Sequence, residues 1–380
     1  KWRCDCGLAS TAASCLSELI DDRVALDMTH VGGGRFAFYA KRFSPRKASI
    51  RLRVLEPLAA LREAGLGVAR YPLLRRPIGY DVVVISKAFG RGAMKVAKAA
   101  AAARSSLVFD ICDNRFANNR CKKSARHSLR TNHLLGCADL VTVPTERMGR
   151  LLIQSVPEIS DRVRIVPDML DDMSGHAVRL SVIDRWRLGQ LDDFLARHGD
   201  ALHCVWFGNN MPGIAGLCQL HDRIAELERF ATLHPVTLTI ISNKPALYRR
   251  ASMHWGIPHH YIPWALASFP HALRRHRVAV IPVPQNDYTA GKSINRPATA
   301  MMAGLGVIAD SIESYEELRP FIVLDDWQAG LARYALDWAG ERDRLAAGQA
   351  HLNAHYGRTQ IAQRWAEVLR EAEARRNMQG

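Results

Sequence analysis

The sequence has no long apolar run, and none of its segments approaches the ~18 residues that a membrane-crossing helix requires. Residues 1–23 are too polar, and too acidic at their end, for a good secretory signal. They read as a leading helix or a poorly ordered stretch, within an N-terminal extension over residues 1–34. Close cysteine pairs are also scarce. Of eight cysteines only Cys4 and Cys6 stand together, and no second pair or His cluster completes a ligand set, so no metal site is expected. Cys112, Cys137, Cys204 and Cys218 lie in apolar stretches and are expected to be buried small hydrophobes, which fits a reducing cytoplasm. There is no Ser/His/Asp set, HExxH motif, Walker loop, complete dinucleotide fingerprint or internal repeat.

Acidic residues are outnumbered. The 380 residues carry 52 Lys and Arg against 37 Asp and Glu, a formal net charge of +15. The excess is uneven: residues 1–180 hold a net of +13, and residues 181–380 only +2. A basic N-terminal half should attract an anionic membrane, nucleic acid or a phosphorylated acceptor. The densest cluster is Arg120, Lys122, Lys123, Arg126 and Arg130, expected near a cleft mouth as an attractor of membrane or acceptor. It has no aromatic interleaving, which disfavours nucleic acid.

What is present is a regular alternation of strands and helices. Short apolar runs such as Val82–Ser86, Leu107–Ile111, Leu140–Pro144, His203–Phe207, Val236–Ser242 and Val278–Val283 alternate with helical stretches. That pattern argues an α/β chain with doubly wound parallel sheets. The aperiodic stretch 168–180 breaks it once, so two domains are expected, over 35–170 and 171–357, with a terminal helix over 358–380. The end from Trp327 is read as nearly all helix, broken at Gly340 and Gly357. A helix over Val54–Ala64, capped from Ser49, would place Arg51 and Arg53 in its first turn, where cations oppose the dipole. They are candidate phosphate or acceptor contacts, or simply solvated arginines. Asp113 follows a strand's carboxyl end and could be a base, a group that orients a sugar, or a helix cap.

The segment 281–310 reads as strand, loop, helix and strand. Ser293 can cap a helix to about Ala303, which puts Lys292 and Arg296 four apart near its N-terminus. Unpaired backbone N–H groups and two cations there make a candidate diphosphate site, although such a pair can also be solvated surface. Within it, Ala300-Met301-Met302-Ala303-Gly304-Leu305-Gly306-Val307-Ile308 resembles the donor-nucleotide end of GT-B glycosyltransferases of the family-4-like group, glycosyl transferases group 1. Their two acidic positions are not matched: Gly291 and Thr299 stand there instead. Lys292-x-x-Asn295-Arg296, with Ser314 to Glu317 shortly downstream, is similar to a bacterial subgroup of the same enzymes.

The resemblance implies two Rossmann-like domains facing across a cleft. It implies a nucleotide-sugar (NDP-sugar) donor held by the C-terminal domain, and transfer to a hydroxyl of a glycan or lipid-linked acceptor, as in bacterial surface polysaccharide or glycolipid synthesis. It implies no cofactor and no metal. The donor diphosphate would meet Lys292, Asn295, Arg296 and the turn at Gly208 and Asn209, and Trp264 would stack on the base or lie in the core. The terminal helix would cross back to the first domain. The rivals are a catalytically inactive GT-B-like binding protein, serving glycan assembly or nucleic acid, and a GT-B-like nucleotide-sugar epimerase.

Overall fold

The computed structural model describes residues 35–72, 79–114, 122–174, 179–209 and 215–379, without the side chains of 122–128 and 379. The expectations for residues 1–34, for Cys4 and Cys6, and for Arg120 lie outside these residues. So do those for the side chains of Lys122, Lys123 and Arg126.

Twelve strands form two sheets among the described residues. The first contains β1 (Phe36–Tyr39), β2 (Val68–Arg70), β3 (Val82–Ser86), β4 (Ser106–Asp110), β5 (Leu140–Val143) and β6 (Val163–Ile165), in the order β2-β1-β3-β4-β5-β6. The second contains β7 (Leu202–Phe207), β8 (Val236–Ser242), β9 (His259–Pro263), β10 (Val278–Ile281), β11 (Gly306–Ala309) and β12 (Val323–Leu324), in the order β12-β11-β10-β7-β8-β9. All pairings are parallel. Parallel sheets are covered on both faces, which is why the central strands are apolar along their length. Alternate residues serve opposite faces. Val83 and Ile85 join one core cluster while Val82 and Val84 join the other; Val205 and Phe207 are likewise separated from Cys204 and Trp206.

The helices follow in chain order. The first, α1, is continuous through Ala48–Ile50, a π turn at Arg51–Leu55, and Glu56–Glu63. Then come α2 (Arg91–Ala102), α3 (Lys122–Cys137), α4 (Glu146–Ser155), α5 (Val182–Ala196), α6 (Leu217–Ala231) and α7 (Pro245–Ala251). The last six are α8 (Phe269–Leu273), α9 (Asp287–Ala290), α10 (Asn295–Met302), α11 (Trp327–Leu336), α12 (Trp338–Tyr356) and α13 (Arg358–Gln379). In α13, Ile361, Trp365 and Leu369 join the first sheet's core. Arg358 pairs with Glu56 and Glu63, and Arg164 with Glu371. None of the helices among the described residues is long and apolar enough to cross a membrane.

Several local expectations are corrected. The helix expected from Val54 begins at Ala48, because a π turn carries the chain through Arg51–Leu55 without breaking it. Ser49 does not cap it; its Oγ accepts from Lys87 Nζ at 2.9 Å. The final helical stretch breaks at Asp337 rather than Gly340, since the Asp337 side chain accepts from the Gly340 N–H and starts α12. Cys204 is buried, but Cys112 is half-buried, and Cys137 and Cys218 are exposed at helix ends.

Candidate functional site

The loops at the carboxyl ends of both sheets surround one large cavity of about 990 Å³. That is where doubly wound sheets present ligands. The residues after β1, β3 and β4 supply Lys41, Lys87 and Asp113; those after β7, β9 and β10 supply Gly208, Trp264 and the stretch up to Arg296.

The centre of the cavity is an ion-pair network joining the two sheets' loops. Asp113 Oδ1 accepts from Lys292 Nζ at 2.5 Å and Tyr288 OH at 3.2 Å, and Oδ2 lies 2.8 Å from Lys87 Nζ. Tyr288 OH in turn accepts from Lys292 Nζ at 2.9 Å. Burial pushes the Asp113 carboxyl up, but Lys292 and Lys87 push it further down, so it sits well below the usual carboxylate range. Burial lowers both ammonium groups, and their anionic surroundings outweigh it, so both titrate above the usual lysine value. Cys112, half-buried beside Asp113, has its thiol pushed up to about 12, first by burial and then by that carboxylate.

Lys292 and Arg296 both line the cavity, but not as neighbours on one helical face. Helix α10 starts only at Asn295, after Ile294, and Lys292 lies in the connector from α9. Ser293 does not cap it; its Oγ donates to Asp168 Oδ2 at 2.6 Å. The Arg296 guanidinium lies 5.9 Å from the Trp206 ring centre. It also lies beside the turn after β7: a Cβ on Gly208 would come within 3.2 Å of Arg296 Nη2. Asn209 lines the cavity next to it. Asn295 accepts from Thr299 Oγ1 at 3.2 Å and also lines the cavity. Trp264 is half-buried, packed on the core near Phe269 with ring centres 5.9 Å apart, and both residues line the cavity.

The missing acidic positions have a steric counterpart. A Cβ on Gly291 would lie 2.9 Å from Met148 Sδ, so α4 occupies the space that a glutamate side chain would need. Thr299 is buried and bonded within its own helix.

Of the two early arginines, only Arg51 lines the cavity. Arg53 does not reach the cavity. It is 1% exposed, ion-paired with Asp110, and donates to Asp168 Oδ1 at 3.0 Å and Val166 O at 2.8 Å. Asp110 also accepts from Ser86 at 2.7 Å and Thr142 at 2.9 Å. Arg51 lines the cavity, but its fork is held by Asp171 at 2.7 and 2.5 Å and by Pro45 O at 2.5 Å. Arg130 is half-buried on α3, one residue before Thr131, which lines the cavity.

Sequence reasoning missed Lys87, Tyr288, Asp168 and Ser293. Lys87 directly follows the VVVIS strand, which is a usable signal; its left-handed φ of 47° and its partner Asp113 are not visible in sequence. Among the described residues there is no group of three His, Cys, Asp or Glu placed to hold a metal.

No family model matches the chain, and no curated protein matches it. Solved structures do. A glycosyltransferase from Rickettsia africae aligns over 90% of this chain and 99% of its own, with a TM-score of 0.60 at 8% identity. A trehalose-6-phosphate protein from E. coli, bound with UDP-2-fluoro glucose, aligns over 84% of this chain and 77% of its own, with a TM-score of 0.56 at 12% identity. A putative UDP-N-acetylglucosamine 2-epimerase from Listeria monocytogenes aligns over 87% and 94%, with a TM-score of 0.51 at 10% identity. Two six-stranded parallel sheets with these likenesses give the chain the GT-B fold, two Rossmann-like domains across a cleft.

Proposed function

We propose that this protein is a glycosyltransferase that takes a sugar from a nucleotide-sugar and passes it to a hydroxyl of a glycan or lipid-linked acceptor. The observation that carries this is the cationic wall at the carboxyl end of the second sheet. Arg296, in the first turn of α10, lies against the Gly208 turn, and Lys292 lines the same cavity. The diphosphate would lie between them, with Asn209 and Asn295 as further polar contacts and Trp264 toward the base. Charge develops on the leaving diphosphate as the glycosidic bond breaks. Fixed donors aimed at it lower the barrier because they need no reorganisation at that moment.

Asp113 is assigned a positioning part rather than that of the base. It holds Lys292 and Lys87 in place, and those two ammonium groups keep it ionised. No cofactor besides the donor is proposed. The domains are taken as 35–170 and 171–357, with 358–380 returning to the first. A place at the inner face of the plasma membrane, in surface polysaccharide or glycolipid synthesis, is part of the same proposal.

The test is a donor screen. Purified protein is titrated with UDP, GDP and TDP, and their sugars are assayed for acceptor-dependent release of the nucleoside diphosphate. Binding of one nucleotide and acceptor-dependent release is the expected result; no binding by any of the three ends the proposal. The likeness to an epimerase supplies a second reading, and interconversion of UDP-N-acetylglucosamine with its 2-epimer in the absence of acceptor would select it.

A further inference from the structure

The cavity holds more positive charge than a nucleotide-sugar can neutralise. Eight cations line it, against three carboxylates, Asp113, Asp168 and Asp171. All three carboxylates are already paired, with Lys87 and Lys292, with Arg53, and with Arg51. The lining therefore carries an excess of five positive charges, and a nucleotide-sugar diphosphate brings about two negative ones.

The unbalanced cations are concentrated in one place. The connector from β1 to α1 runs KRFSPRK, and Lys41, Arg42, Arg46 and Lys47 all line the cavity. All four are exposed, and none pairs with a carboxylate among the described residues. Arg51 binds Pro45 O and Asp171, and so anchors this connector while its own charge is taken up. Two arginine forks and two ammonium groups on a seven-residue stretch offer the donors and charge that phosphate oxygens favour.

We infer that the Lys41–Lys47 connector is a phosphoryl-binding subsite, separate from the diphosphate wall at Arg296, and that the acceptor is a phosphorylated sugar or phosphorylated lipid-linked sugar. Naming that ligand the acceptor rests on the glycosyltransferase proposal; the phosphoryl subsite itself does not.

Calorimetry on the full chain tests it. Glucose 6-phosphate represents a soluble source and farnesyl phosphate a lipid source, with glucose as the neutral control. Each is titrated into wild type, Arg42→Ala/Arg46→Ala and Arg296→Ala. At least one phosphate probe should bind where glucose does not. Its affinity should fall about tenfold or more in the connector double variant, the scale of lost charged hydrogen bonds, and change by less than about threefold in Arg296→Ala. Tight binding of glucose 6-phosphate alone assigns the soluble source, and of farnesyl phosphate alone the lipid source. Failure of both probes, or a loss confined to Arg296→Ala, overturns the inference. UDP titrated into the same proteins separates the two ideas: wild type that binds a phosphate probe through the connector but not UDP removes the donor proposal and leaves the subsite standing. Both replaced residues are exposed, so folding is not at stake.

Discussion

The two walls of the cavity use positive charge differently. On the second sheet's side, Lys292 is tied to Asp113, and Arg296 is braced against the Trp206 ring and the Gly208 turn. On the first sheet's side, the cations divide by depth. Arg51, and Arg53 outside the cavity lining, are buried and held by carboxylates, while the connector before them carries four exposed cations free of ion pairs among the described residues. Buried cations need partners because their desolvation is otherwise uncompensated. Exposed ones keep their water and remain available to a ligand. Depth, rather than residue type, separates the arginines held by carboxylates from those left without one among the described residues.

The largest effect should come from breaking that division. Arg53→Met leaves Asp110, which is fully buried, with only two hydroxyl donors. A loss of about 3–5 kcal/mol in unfolding free energy is expected, read by urea denaturation. Arg42→Ala, by contrast, should leave stability nearly unchanged, and a comparable loss in both variants would erase the distinction.

Next in size is the wall proposed to hold the diphosphate. Lys292→Ala and Arg296→Ala should each weaken nucleoside-diphosphate binding by about tenfold or more, corresponding to about 1.5–3 kcal/mol for a charged hydrogen bond. Calorimetry with the nucleotide found in the donor screen is the measurement. Unaltered affinity in both would return these residues to ordinary surface chemistry.

Asp113→Asn sharpens the comparison from the other direction, since it removes the charge that competes with a ligand for Lys292 and Lys87. Nucleotide affinity should rise about two- to fivefold, the scale of a screened charge pair. The same variant carries a pH signature. A carboxyl whose folded-state pKa is depressed stabilises the fold fully above its unfolded value near ~3.9, and this contribution is lost as pH falls through the folded value. Melting temperatures of wild type and variant should therefore differ most at neutral pH and converge on acidification below about pH 4. A turnover loss of about a hundredfold or more with binding intact would instead make Asp113 a base.

The smallest effect concerns the outer edge of the first wall, where Arg130 lies on α3. Removing one cation near an anionic surface should cost up to ~1 kcal/mol of membrane affinity, and less at high salt. Liposome co-sedimentation reads it, and equal recovery on neutral and anionic vesicles at low salt would discard the membrane proposal.

Much of the fold was legible because a doubly covered parallel sheet demands continuous apolar strands. VVVIS and VTLTIIS coincide with β3 and β8 for that reason. Two-residue β12 left no such signal, and the π turn in α1 hid a helix start six residues early. The segment around Lys292 and Arg296 lines the cavity, as its place after a strand suggested, although its helix begins later than expected. Cys137 and Cys218 were misjudged because an apolar neighbourhood in sequence does not say which side of a helix end faces water.

By itself the sequence determined the alternation of elements, the apolar strands and the basic bias of the first half, since these follow from local composition and periodicity. Which cations hold the structure and which can meet a ligand was decided only by tertiary structure. Arg51 finds Asp171 across 120 residues, Arg53 finds Asp168 across 115, and Lys292 finds Asp113 across 179. Charge pairing depends on separations of a few ångströms and on local burial, and spacing along the chain carries neither.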